Sequence, residues 1–569
     1  MIMTHRLFRT KNIESILKSA EEPEHQLRRS LGVVSLTALG IGAIIGAGIF
    51  AATGSAAAGS PDHLGAGPAI ILSFVVTAIA CGFAALCYAE FSSMLPISGS
   101  AYTYSYASFG ELIAWVIGWD LILEYAVGNI AVAVSWSGYF VSLLSGFGIH
   151  LPAWASLNYN TMLNAVMEGP GRTPEMLAAA HTALDSAPQV FGIPIIINVP
   201  AVFIVTVITI ILVLGIRESA ALNSFIVVLK ILIVGFFIAI GIFYVKPENW
   251  IPFAPNGWNG VMTGAALVFF AYIGFDAVTT TAEEARNPQR DIPRSMILSL
   301  VICTILYIGI ALVLTGLVPS LSLNVSDPLA FALHQHNLDW ASGIISFGAV
   351  ISMTAVILVF QLGQPRIFFS MSRDGLLPPA FAKVHPRFKT PYIPTILTGL
   401  FVAIPAAFLD ITAAVEFTNI GTLFAFVLVC AGVIILRKTR PDCMRKFRTP
   451  WVPVIPILGI LSCLYLMISL PWITWMRFFF WLFLGTNIYF LYGIEHSKLS
   501  GETSPDSRRL LLRIRAALLG VDLISLIYLY FLLREGNRAV VTVFEYFFFI
   551  LLILFSGGLL RKLFRVSKP

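Results

Sequence analysis

Three ionisable side chains stand where an apolar run should carry none: Lys230, Glu124 and Asp276. Lys230 falls near the centre of the apolar run 219–245. At 1.5 Å rise per residue it is on the order of 20 Å from either end, too far for an ammonium to reach water by stretching its stem. A central charge costs about 2.5–3.5 kcal/mol on insertion scales. Lys230 therefore reads as a candidate functional residue that should have a partner or be partly neutral, with a snorkelling lysine as the alternative. Glu124 lies mid-run, and Asp120, Glu124 and Gly128 share one helix face at i, i+4 spacing. A carboxylate there is suited to holding an amine or a cationic side chain, or else to a structural hydrogen bond. Asp276 follows a glycine in Gly274-Phe275-Asp276. It is either an acceptor for freed backbone or part of a proton path. Thr279, Thr280 and Thr281 follow it, and hydroxyls can satisfy freed backbone groups at that depth. No HExxH, GxSxG or phosphate loop is present, and the six cysteines and nine histidines form no CxxC or His/Cys cluster. The expectation is no enzyme, no cofactor and no metal.

Two irregular stretches must position these groups. Gly40, Gly42, Gly46 and Gly48 fall within nine positions of the first apolar run. Each weakens a helix by roughly 0.5–1 kcal/mol relative to alanine. The stretch is either a close helix crossing, since Gly42 and Gly46 form a GxxxG, or a binding site made of unwound backbone. The sixth run, 258–283, carries the second irregularity at Gly274-Phe275-Asp276. Two interrupted segments, each first in a set of five, point to an inverted-repeat transporter with a ligand between half-helix ends. Exposed amides suit a carboxylate and exposed carbonyls suit an ammonium, so an amino acid zwitterion fits a site without charged side chains.

The surrounding chain is 57% hydrophobic and 12% charged, against about 25% charged in soluble proteins. Fourteen apolar runs are candidate spans: about 33–58, 68–94, 110–147, 195–216, 219–245, 258–283, 294–318, 340–371, 392–409, 413–436, 451–471, 475–495, 510–533 and 539–561. With both ends in the cytoplasm, and basic residues at span ends counted with the adjoining loops, 30 Lys and Arg fall inside and 5 outside, leaving Lys230 as the one deep in a span. A twelve-span topology would also keep both ends inside. The organisation expected is a cytoplasmic segment 1–30, a transport core 31–437 with an external cap-like loop 148–194, and helices 11–14 with a cytoplasmic tail over 438–569. The basic balance follows loop asymmetry and gives no reason to expect nucleic acid.

Residues 40–50, Gly274-Phe275-Asp276 and the segment Ala282-Glu283-Glu284-Ala285-Arg286-Asn287-Pro288 resemble the amino acid–polyamine–organocation superfamily. The motifs at 363–378 and 420–426 resemble the cationic amino acid transporter family and its bacterial proton-coupled relatives. The resemblance implies an all-α polytopic membrane protein of 14 transmembrane helices. Its core would be a five-plus-five inverted repeat (LeuT-like), with broken first and sixth helices and four further C-terminal helices. It implies amides of Ala47 and Gly48 for a substrate carboxylate, with Gly46 also in the substrate site, although relatives often carry a hydroxyl residue at the position of Ala47. Carbonyls of Ile44, Phe270, Ala271 and Ile273 would take the amine, and the Phe270 ring would close over it. Met353 would limit side-chain size, or be ordinary core. Asn419 and Thr422 would gate the outer side or only bond neighbouring helices. Lys230 would contact the broken first helix where sodium-coupled relatives hold sodium, and Lys230 and Asp276 would carry proton coupling.

The function so implied is a secondary active permease of the plasma (inner) membrane. It would move L-amino acids with a proton by alternating access, with small neutral substrates such as alanine favoured. A cationic uniporter for arginine or lysine, or an exchanger, is the alternative. The expected partners are the amino acid, the proton and the lipid bilayer, with a small accessory membrane subunit left open.

Overall fold

A bilayer offers backbone groups no water, so apolar runs satisfy them internally as helices. The structure, a computed structural model, describes residues 7–11, 31–60, 63–95, 100–159, 162, 174–190, 193–215, 220–282, 285–499, 505–535 and 543–566. The N-terminal stretch 12–30, Arg217, Glu283 and Glu284 lie outside the described residues.

The first apolar run divides into α1 (Val33–Ile44) and α2 (Thr53–Ala58), joined by a π-helical turn over Gly48–Ala52. Then come α3 (Ile70–Met94), α4 (Ser100–Ser108), α5 (Glu111–Gly146), α6 (Val199–Leu214) and α7 (Ala220–Gly241). The sixth run divides into α8 (Gly257–Val268) and α9 (Ala277–Thr280). Next are α10 (Pro288–Leu317), α11 (Asp339–Arg373), α12 (Tyr392–Ala406) and α13 (Ile411–Thr439). The chain ends on α14 (Val454–Ile468), α15 (Trp472–Ile488), α16 (Pro505–Glu535) and α17 (Val543–Val566). Among the described residues, 8 helical segments are long and apolar enough to cross a membrane, or 9 if the bent pair at the first run is one span. The apolar helices α6, α12 and α14 are shorter. The protein is an integral membrane protein.

Two of the longest helices form the rigid spine. α5 has 36 residues and α11 has 35, and they run antiparallel. Gln364 Nε2 donates to Ile122 O at 3.3 Å, Tyr125 meets Phe360 edge-on at 5.6 Å, and Trp136 Nε1 donates to Thr354 Oγ1 at 2.9 Å. Glu90 of α3 ties to α13 through a two-point bond from Arg437, at 2.8 Å to each carboxylate oxygen. Its Oε2 also accepts the Thr449 amide at 2.8 Å.

Loop 148–194 contains helices Ala153–Ser156 and Pro174–Ser186 and a short antiparallel pair, β1 (Gln189–Val190) and β2 (Ile193–Pro194). It packs on its own small cluster of Met162, Ala180, Ala183 and Ile196. Asn198 anchors it, donating to Asn158 Oδ1 at 2.8 Å and accepting from Ser137 Oγ at 2.6 Å.

Candidate functional site

The first break follows from the glycines. α1 stops at Ile44, Ile45 turns extended (φ −75°, ψ 98°), and the two half-helices meet at 42°. The amides of Ile49 and Phe50 both reach back to Gly46 O, at 3.2 and 3.3 Å. Those of Gly46, Ala47 and Gly48 meet no acceptor among the described residues. They are the orphan donors of a new helix start, where the backbone dipole favours an anion. In the sixth run a 3₁₀ turn over Phe269–Tyr272 leads to extended Ile273 (φ −60°, ψ 136°) and then Gly274 at φ +112°. Only glycine adopts that last conformation without strain.

The breaks face each other. A Cβ on Gly48 would stand 2.3 Å from Ala271 Cα, and one on Gly274 would stand 3.0 Å from the Ala43 carbonyl. Glycine is required by backbone meeting backbone.

Buried side chains from neighbouring helices hold the freed carbonyls. Lys230 of α7 is wholly buried, so it does not snorkel. Its Nζ donates to Gly42 O at 2.7 Å and to Ile45 O at 3.0 Å. Tyr307 of α10 places its hydroxyl 2.9 Å from Ile44 O and 2.8 Å from Ala271 O, bridging the breaks. It has one proton, so the two carbonyls share it. Asn419 Nδ2 donates to Ala266 O at 2.7 Å and Leu267 O at 3.1 Å, tying α13 to the end of α8. Thr53 Oγ1 takes Gly48 O at 3.1 Å, and the Tyr139 hydroxyl donates to Phe50 O.

Ile44, Gly46, Ala47, Gly48, Phe270, Ala271 and Ile273 are all buried at these two breaks. Gly46 lies against α11, where its added Cβ would be 3.1 Å from Val356 Cγ2. Met353, fully buried, is one turn earlier on the same face. Glu124 is buried within electrostatic reach of Asp276 and Asp120, with the Thr422 hydroxyl as a side-chain partner. The Asp276 carboxylate sits close to the amides of Gly274, its own residue and Ala277, without a cap bond of standard geometry. Asp120 packs beside Gly421, whose added Cβ would meet its Oδ1 at 2.7 Å. Neither Asp120 oxygen has a hydrogen-bond partner among the described residues.

Lys230 therefore grips the first break, while Asp276 belongs to an acidic group with Glu124. Tyr307 and Val356 escaped the sequence reading. Tyr307 left one signal, a hydroxyl in the middle of an apolar run; Val356 left none.

Residues 31–489 match the family model described as amino acid permease. The chain belongs to the amino acid permease family. In this permease the matched region runs from the start of α1 past the end of α15, both breaks included, and leaves α16 and α17 outside. It is similar to a branched-chain amino acid permease of Bacillus subtilis (strain 168), 48% identical over 500 residues that cover 88% of this chain and 100% of that one. A methylthioribose transporter of the same strain is 47% identical over 494 residues, covering 87% of this chain and 99% of the relative. The vacuolar cationic amino acid transporter 4 of Arabidopsis thaliana is 36% identical over 442 residues, covering 77% and 68%. The names of these relatives carry three different substrates.

Proposed function

We propose that this permease is a secondary active symporter that carries a neutral aliphatic L-amino acid together with a proton across the plasma membrane. The observation that carries the reading is the facing pair of breaks, with unpartnered amides at Gly46–Gly48 opposite the carbonyls of the sixth run. The substrate carboxylate binds the amides at the half-helix start. Its ammonium binds the carbonyls of Ile44, Phe270, Ala271 and Ile273, using lone pairs that Tyr307 leaves free or yields. Ala47, Val356 and Met353 present apolar surface to the side chain, which suits alanine and its branched homologues. A relative named for branched-chain amino acids supports the upper end of that range.

Lys230 is the coupling group in this reading. Protonated, it clamps Gly42 O and Ile45 O and keeps α1 against the core. Neutral, it loses most of that grip, and the inner half of the first span can swing. The scheme is alternating access in a five-plus-five inverted repeat of fourteen spans, both termini cytoplasmic, rocking against a scaffold that includes the α5–α11 spine. Asp276 and Glu124 belong to the proton path or the pocket wall.

A second reading rests on that same acidic pair. Buried carboxylates beside a binding site would favour an arginine or lysine side chain, moved by uniport or exchange. Uptake of labelled L-alanine into proteoliposomes, competed in turn by L-valine, L-leucine, L-arginine and L-lysine, separates the two. Inhibition by the aliphatic acids with none by the basic ones is expected, and the reverse pattern would select the second reading.

A further inference from the structure

The last turn of α13 and its connection to α14 place six Lys and Arg within residues 437–449. Two of them build the connection. Arg437 forks onto Glu90 of α3. Arg445 is buried and folds the chain around itself. Its Nη1 donates to the carbonyls of Pro441 and Cys443 at 3.1 and 2.9 Å, and its Nη2 to those of Leu436 and Arg440 at 3.1 and 2.8 Å. Its Nε stands 3.2 Å from Glu90 Oε1. α3 fixes the rest. Ser93 Oγ donates to Phe447 O at 3.2 Å and accepts the Phe447 amide at 3.3 Å, and Thr449 Oγ1 donates to Leu86 O at 3.0 Å. The backbone of this connection is therefore held in one path.

On that path burial alternates. Arg445 and Thr449 are buried and Phe447 is half-buried, while Met444, Lys446 and Arg448 between them are exposed. Lys438 and Arg440 are exposed as well, against one exposed acid, Asp442. No side chain of these four exposed cations meets a hydrogen-bond or ion-pair partner among the described residues. Apolar groups flank them. Met444 is 77% exposed and Trp451 is 79% exposed. Just after Trp451, α14 exposes Val454, Ile457, Leu461 and Ile468. Their spacing of three, four and seven puts them on one helix face. On a helix at the membrane boundary of the bundle, that face meets lipid tails. Trp451 stands where the face begins, and tryptophan favours the headgroup level of a bilayer.

We infer that this connection is a binding site for the phosphate headgroup of an anionic phospholipid of the surrounding bilayer, held by Arg440, Lys446 and Arg448 with Trp451 beside it. A guanidinium meets a phosphate with two parallel N–H···O bonds, and an ammonium adds a point charge. A soluble anion would engage the cations and leave Trp451 and the exposed face of α14 uncovered. A lipid covers both. The orientation proposed above puts the site at the cytoplasmic leaflet, where anionic lipid attracts basic segments. Bound there, the lipid braces the joint of α3, α13 and α14, whichever substrate the permease moves.

The test uses the full chain in detergent micelles doped with either dioleoylphosphatidylglycerol or dioleoylphosphatidylcholine. Native mass spectrometry counts the lipid retained, and thermal unfolding gives Tm. Wild type is expected to retain the anionic lipid saturably and in preference to the zwitterionic one. It should also melt at a higher temperature with the anionic lipid, a rise that high salt removes. R440Q/K446Q/R448Q should weaken retention of the anionic lipid by about tenfold or more and lose the rise in Tm. K383Q/R387Q/K389Q removes as many exposed cations from the connection between α11 and α12 and should keep both. Elution profile and Tm without added lipid show that each variant is folded, and K446Q and R448Q singly answer the same question if the first triple variant is not. Neither readout requires transport, so a failure here and a failure of the symport reading are told apart. Equal retention of the two lipids by wild type would overturn the inference, as would an equal loss in both triple variants. Inorganic phosphate that raises Tm as far as the anionic lipid does would also overturn it, because a free anion would then fill the site.

Discussion

At the scale of single residues, the account turns on who holds the carbonyls that the breaks set free. Tyr307 spans both breaks with one hydroxyl. Tyr307→Phe keeps the ring packed against Phe74 and Tyr272 and removes only the bridge. The expected loss is about 0.5–1.5 kcal/mol of stability, the usual net worth of one hydrogen bond. A lower Tm in detergent, with a larger fall in labelled uptake than in protein yield, would bear this out. An uptake rate equal to wild type would show that the bridge is incidental. The charged residues themselves were legible without a structure, because a lysine or carboxylate at membrane depth is costly enough to be conspicuous. Their partners were not. Backbone carbonyls have no letter in a sequence, so nothing in it said that Lys230 would choose Gly42 and Ile45. A valine facing a glycine, as Val356 faces Gly46, looks like any other core valine.

At the scale of elements, the broken spans are the working parts of the proposed mechanism, and their glycines are needed for contact as much as for flexibility. Gly48→Ala would put a Cβ 2.3 Å from Ala271 Cα. Backbone cannot step aside as a side chain can, so the two breaks must separate. Overpacking of this kind costs about 1–3 kcal/mol. The expected outcome is a folded protein, shown by its elution profile, with little or no binding of a labelled amino acid. Full binding by G48A would mean that the approach of the breaks is not part of the site. The first break was readable from its density of glycines. The second was readable from Gly274-Phe275-Asp276. The π-helical turn at Gly48–Ala52 and the helix α4 between α3 and α5 were not. α4 is a short amphiphilic segment held by tertiary contacts. Its Tyr102 donates to Asp374 Oδ2 at 2.7 Å and its Tyr106 to Glu111 Oε2 at 3.1 Å, and neither bond leaves a local pattern.

Across the whole molecule, the apolar runs made the all-helical membrane character legible, while the loops between them depended on packing. His63, in the loop after α2, illustrates this. Both ring nitrogens are buried with no hydrogen-bond partner of standard geometry among the described residues, and burial, outweighing the nearby Leu64 backbone, lowers its pKa to about 4. An unfolded histidine takes up its proton near pH 6.5, so this group adds stability above that pH and loses it as pH falls towards 4. The full effect is about 3 kcal/mol. Asp327 works in the opposite direction. Burial raises its pKa to about 6, so its contribution is present at low pH and lost as pH rises through 6. His63→Asn should therefore raise Tm at pH 5 relative to wild type by more than at pH 7.5, as read by thermal unfolding in detergent. An equal shift at both pH values would mean that the imidazole does not titrate across this interval.

The central claim is that the Lys230 clamp on the first break couples amino acid movement to a proton. Its most direct test is accumulation of labelled L-amino acid in proteoliposomes with an imposed pH gradient, with and without an uncoupler, for wild type and Lys230→Ala. The account predicts concentrative uptake by wild type that the uncoupler abolishes, and none driven by the gradient in K230A. Gradient-driven accumulation that survives in K230A, or wild-type accumulation indifferent to the uncoupler, would contradict it.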